Sequence, residues 1–82
     1  MNVTLTWDPP TTKYYGHPLE NLVGYYINHS TDGFSWRRIN QEPISDNRIT
    51  LSLDSGYHAF TVQAVDSYGN ISQPSNLLEL TL

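Results

Sequence analysis

The residues best equipped for chemistry are Lys13-Tyr14-Tyr15-Gly16-His17-Pro18, two further histidines at 29 and 58, and the carboxylates Asp8, Asp32, Asp54 and Asp66. Acid–base or nucleophilic catalysis needs such groups to converge from several elements on one reacting atom. Here His17 falls in a loop, His29 at the end of an apolar run and His58 inside another, and no His-x-His or His-x₃-His spacing offers a metal two ligands from one element. The absence of cysteine removes thiol nucleophiles, cysteine zinc sites and disulfides. These four aspartates mostly flank turns, where a short carboxylate caps backbone amides. Asp66 with Asn70 supplies too few oxygens for calcium, which takes about six to eight. The chain therefore reads as non-enzymatic, with no cofactor and no metal.

The elements that must position these residues are strands. Alternation of apolar and polar residues dominates, and no window carries a helical stripe. Val3, Leu5 and Trp7 share one face of a first strand, with Asn2, Thr4 and Thr6 on the other, until Asp8-Pro9-Pro10 stops it. A long loop over residues 11–21 follows, which Leu19 and Leu22 are expected to pin to the core. Val23, Tyr25 and Ile27 alternate inward on a second strand. Ser30-Thr31-Asp32-Gly33 is turn material, and Phe34 to Ile39 is expected to return as a strand carrying Trp36. Ile49, Leu51 and Leu53 form the next strand. After Asp54-Ser55-Gly56 comes a strand over Tyr57 to Val65, with His58, Phe60, Val62 and Ala64 on one face. Ser67-Tyr68-Gly69-Asn70 turns the chain again, and Leu78, Leu80 and Leu82 alternate in the last strand. About six short strands separated by turns predict an all-β sandwich of two antiparallel sheets. Its predicted core is Trp7, Tyr25, Ile27, Leu51, Leu53, His58, Phe60 and Val62.

Composition bounds the partners. With 82 residues the chain is one domain, 1–82, small enough that its margin of stability is thin. A net charge of −4 with only four basic residues does not suit phosphate backbones, which are bound by clustered Lys and Arg. Arg37 and Arg38 are neighbours that point to opposite faces of a strand. Nucleic acid is not expected as a partner, nor is a membrane, since no apolar run approaches spanning length. The start MNVTLTW carries no secretory leader pattern. Either Met1 is native and the protein is used without export, or it was added to a module taken from a longer chain. The Asn-x-Ser/Thr triplets at Asn2, Asn28 and Asn70 would accept glycans only in a secreted eukaryotic setting.

The run from Leu53 to Asn70, with Gln73-Pro74-Ser75-Asn76 after it, resembles the E–F corner, F strand and F–G hairpin of a fibronectin type III domain. Trp7 followed by Pro10 resembles that family's B strand, Gly24-Tyr25 with Ile27 its C strand, and Ser30 to Trp36 its C–C′ hairpin. Gly16 to Tyr25 looks like the B–C loop of bacterial and bacteriophage members. Two departures stand out. The family's corner tyrosine, which hydrogen-bonds to upstream backbone, falls on His58, so either the imidazole takes over that role or a bulge recruits Tyr57. A buried, neutral His58 would make the corner sensitive to acid. The family's A strand is also missing, because the chain begins directly at the B strand.

What the resemblance implies is docking. Bacteriophage capsids and tails carry such domains as decoration or adaptor pieces, so a virion structural protein is the leading expectation, localised to the particle and made in the host cytoplasm. The alternative is a carbohydrate-binding or spacer module from a secreted hydrolase, extracellular and able to meet a host-surface glycan. A sugar platform would need coplanar exposed aromatics, and Trp36 matches a hairpin position expected to pack on the sheet. Two surfaces are candidates for partner contact, whether the partner is another virion protein or a second copy. One is the outer edge of the first strand, through Asn2, Thr4 and Thr6, which has no charge or proline to refuse a partner strand. The other is the tyrosine-rich loop Lys13, Tyr14, Tyr15 and His17 with Tyr68 on the later hairpin, since tyrosine gives large contact area at low entropy cost.

Overall fold

The computed structural model describes residues 1–8, 22–72, 74 and 77–82. Among these residues six strands follow in chain order: β1 (Asn2–Thr6), β2 (Leu22–Ser30), β3 (Arg37–Arg38), β4 (Arg48–Ser52), β5 (Tyr57–Asp66) and β6 (Leu78–Thr81). All pairings among them are antiparallel. β1 and β4 form one sheet, and the other runs β3-β2-β5-β6. The central pair, β2 and β5, extends from Leu22↔Asp66 to Ser30↔Ala59.

The two sheets close on Leu5, Trp7, Tyr25, Ile27, Phe60, Val62 and Ala64, all buried, and Trp7 meets the Tyr25 ring edge-on at 5.4 Å. Leu51 and Leu53 pack against this cluster but are only half-buried, as are Val3, Ile49, Leu78 and Leu80. The cause is unequal sheet width. Strands lie about 4.8 Å apart, so two strands cannot roof the inner face of four, and apolar side chains along the margins keep some exposure.

Three expectations about individual elements need correction. Val23 does not point inward: it is 46% exposed, because the β2–β5 register shifts between Leu22 and Gly24 and this irregularity turns it out. Leu22 is exposed too and pins nothing to the core, while Leu19 lies outside the described residues. Third, Phe34 to Ile39 is not a strand; only Arg37 and Arg38 pair with β2. The Asp32 carboxylate accepts the Phe34 and Ser35 amides, both at 2.8 Å, and the Ser30 hydroxyl accepts the Gly33 amide, also at 2.8 Å. Those bonds hold 30–35 as a turn, with Gly33 at φ +83°, where a side chain would be strained. Beyond β3, the Asn40 amide group completes the β2 edge in place of a strand, accepting from the Ile27 amide and donating to the Tyr25 carbonyl, each at 2.8 Å.

Candidate docking surface

Among the described residues β1 is an edge strand, and the side it turns away from β4 can be read residue by residue. Met1↔Leu53 and Trp7↔Asn47 exchange main-chain bonds across the β1–β4 ladder, at 2.9 Å from the Leu53 amide and 3.2 Å from the Trp7 amide. Antiparallel pairs alternate between bonded and non-bonded, so Val3 and Leu5 direct their amides and carbonyls at β4. Asn2, Thr4 and Thr6 direct theirs away from it. No described residue pairs with those outward groups, and the three side chains are exposed. The neighbouring Thr4 and Thr50 hydroxyls meet at 2.9 Å across the outer surface of the two-stranded sheet.

One end of the sandwich gathers the loops. Trp7, at the exit of β1, meets Tyr25 near the start of β2, whose first residue pairs with Asp66 at the end of β5. The end of β1, the start of β2 and the hairpin after β5 therefore share that end. Tyr68 stands on the hairpin, 72% exposed, with exposed Leu22 and Val23 close by in the fold. Asp66 builds this hairpin: its buried carboxylate accepts the Tyr68 amide at 3.0 Å, the Asn70 amide at 2.9 Å and the Asn70 side-chain amide at 3.1 Å. Lys13, Tyr14, Tyr15 and His17 lie outside the described residues.

The outer face of the larger sheet holds a feature that sequence reading missed. Trp36 is 40% exposed and borders a shallow cavity of about 370 Å³ with Asn28 of β2, Thr61 of β5 and Pro74. Asn28 donates to Thr61 at 3.3 Å and to Gln63 at 3.1 Å, and Arg38 stacks 3.7 Å above the Tyr26 ring. Phe34, 89% exposed, sits on the turn before Trp36. Nothing in the spacing of these residues announced their exposure, because it follows from the turn that displaces them.

The E–F corner is closed by His58. Its Nε2 donates to the Asp54 carbonyl at 2.8 Å, taking the part of the family's tyrosine, whereas Tyr57 turns to the surface and donates to Glu79 at 2.7 Å. That bond to the carboxylate raises the Tyr57 pKa. A carbonyl only accepts, so His58 carries its proton on Nε2 and offers Nδ1 to His29, whose Nε2 donates at 2.9 Å. The rings of His29, His58 and Phe60 form a stack, with His29 at 4.8 Å from Phe60 and 5.2 Å from His58. Sequence reading placed His29 apart from His58; only the register His29↔Phe60 brings it to the corner.

This pair predicts an acid-sensitive end of the domain. Burial holds the His29 pKa below its ordinary value, with His58 and then Arg37 adding to the effect. A histidine with a lowered folded pKa contributes stability that is complete above the unfolded value near about 6.5 and lost as pH falls through it toward the folded value. The two facing nitrogens, His29 Nε2 and His58 Nδ1, share a single proton, which His29 donates. Denaturant unfolding at stepwise lower pH below neutrality should show a falling midpoint, and His29→Gln should flatten that slope. An NMR titration placing His29 above the unfolded value would contradict the assignment.

Among the described residues no three acidic, histidine or cysteine side chains cluster as metal ligands, and no helix is long and apolar enough to cross a membrane. No known family profile matches the chain. A stretch of 71 residues, 83% of the chain, is 37% identical to M-protein, striated muscle, of Gallus gallus, and covers 4% of that protein. With its six antiparallel strands in two sheets, the chain has an all-β sandwich fold of the immunoglobulin and fibronectin type III-like kind.

Proposed function

We propose that this chain is a non-catalytic protein-docking module that receives a partner's strand along the open side of β1. The carrying observation is the row of main-chain groups at Asn2, Thr4 and Thr6, aimed away from β4 and unpaired by any described residue. In strand addition, main-chain bonds give affinity and nearby side chains give specificity. Exposed Tyr68, Leu22 and Val23, at the end toward which β1 runs, are placed to provide the second. Similarity to part of a muscle protein supports an interaction domain in general terms.

The narrower setting we propose is a virion structural piece in the assembled particle. Its support is the likeness of Gly16 to Tyr25 to the B–C loop of bacteriophage members; the measured similarity, to a striated-muscle protein, adds nothing to it. Genes for capsid or tail proteins beside this reading frame would favour that setting, and continuation into an enzyme would remove it. The carbohydrate alternative gains an exposed Trp36, but no second aromatic ring is among the described residues lining its cavity.

Hydrogen exchange tests the docking itself. The amides of Asn2, Thr4 and Thr6 should exchange quickly in the free protein, while those of Val3 and Leu5 are slow, and the first set should become protected in the assembled state. Protection of all five in the free monomer, or continued fast exchange of the first three in the assembly, would leave the loops to carry binding.

A further inference from the structure

We infer that the strand accepted at this edge is β1 of a second copy, in a two-fold antiparallel pairing centred on Thr4. The inference rests on the docking reading above and names its partner. Because the outward groups belong to residues 2, 4 and 6, an antiparallel copy whose Thr4 lies opposite Thr4 aligns Asn2 with Thr6 at both ends. The Asn2–Thr6, Thr4–Thr4 and Thr6–Asn2 pairs are then of the hydrogen-bonded kind, which gives about six main-chain bonds, with the Val3–Leu5 pairs non-bonded between them. Directly opposite residues share a face, so the threonines and Asn2 stay on the outer surface. Val3 comes beside Leu5 of the other copy on the inner surface. Val3 is half-buried in the single chain, and this neighbour covers more of it.

Charge selects this pairing over the opposite edge of the same sheet. The outward residues of β4 are Arg48, Thr50 and Ser52, and a charged side chain on an edge discourages strand addition. β1 has no charged residue at all. Pairing β1 with β4 of the next copy would also fail to close, producing an open filament, whereas the same strand used twice closes on a dimer. Each copy carries −4, so the long-range repulsion between copies is weakened by salt, and association should tighten as ionic strength rises.

Sedimentation velocity over a concentration series, with hydrogen exchange on the same samples, tests this. The unmodified chain should form a dimer with concentration, with the Asn2, Thr4 and Thr6 amides protected only as it forms. Thr4→Pro removes an amide that β4 does not use and should weaken association by about ten-fold or more. Thr4→Lys keeps the amide, sets like charges face to face at the two-fold axis and should weaken it too; if the proline variant fails to fold, the lysine variant decides. A dimer unaffected by the folded variants, or a ladder of larger oligomers, overturns the two-fold pairing. A monomer at all concentrations with fast exchange at residues 2, 4 and 6 overturns self-pairing and leaves the edge open to a foreign strand. A monomer in which those amides are slow overturns both readings, since the edge is then covered within the chain.

Discussion

Trp7→Ala should cost about 3 to 5 kcal/mol, the range for truncating a large buried aromatic. Trp7 is buried where β1 delivers the chain to the loop-bearing end, edge-on to Tyr25. Domains of this size have a total stability of roughly 4 to 12 kcal/mol on a per-residue scaling, so the variant should be partly unfolded at rest. The indole Nε1 is buried without an acceptor among the described residues. Trp7→Phe therefore gives up no hydrogen bond made to those residues and should cost clearly less than the alanine change. Denaturant midpoints of the two variants measure the difference. Equal losses would mean that the N–H group matters more than ring volume, and a loss below about 1 kcal/mol for alanine would place Trp7 outside the core.

Gly24→Ala should be nearly as damaging, at about 1 to 3 kcal/mol, by overpacking. A β-carbon built at Gly24 lies 2.5 Å from the Ile44 carbonyl oxygen, 2.9 Å from its carbon and 2.9 Å from the Pro43 side chain. Two of those atoms are backbone, which cannot rotate away. Relief requires moving the segment that Ile44 anchors to β2 through two bonds with Tyr25, at 2.8 and 3.1 Å. The loss should thus appear both as a lower unfolding midpoint and as faster exchange at the Tyr25 and Ile44 amides. Full stability in Gly24→Ala would show that residues 43–44 are not held against β2.

The strands most readable in the sequence were those with unbroken alternation on a half-buried face. Val3-Leu5-Trp7 and the His58 to Ala64 run of β5 lie inward in the positions their period sets. Period alone failed where side chains bonded to the backbone. Asp32 and Ser30 hold residues 30–35 as a turn where a strand from Phe34 was expected. A register irregularity after Leu22 reverses Val23, and no residue-type signal announces it. Half-burial of Leu51 and Leu53 depends on how many strands sit above them, a property of the whole sandwich. At the candidate site, the outward placement of Asn2, Thr4 and Thr6 was legible because they alternate with the inward Val3, Leu5 and Trp7. The His29–His58 contact was not, since it joins positions 29 residues apart through a register that only the folded sheet defines.

The unequal sheets also set an order of opening. Among the described residues β1 has main-chain bonds to one neighbour only, and no ladder ties β1 or β4 to the other sheet. Segments with one-sided ladders and partly exposed apolar contacts occupy the low end of the free-energy scale for sub-global unfolding. The β1–β4 pair should thus detach before the central β2–β5 ladder, exposing Trp7 and the apolar faces of β2 and β5. A strand added along β1 would give that unit a second ladder, and so would lengthen the life of the native state by acting on the part of the molecule that opens most readily.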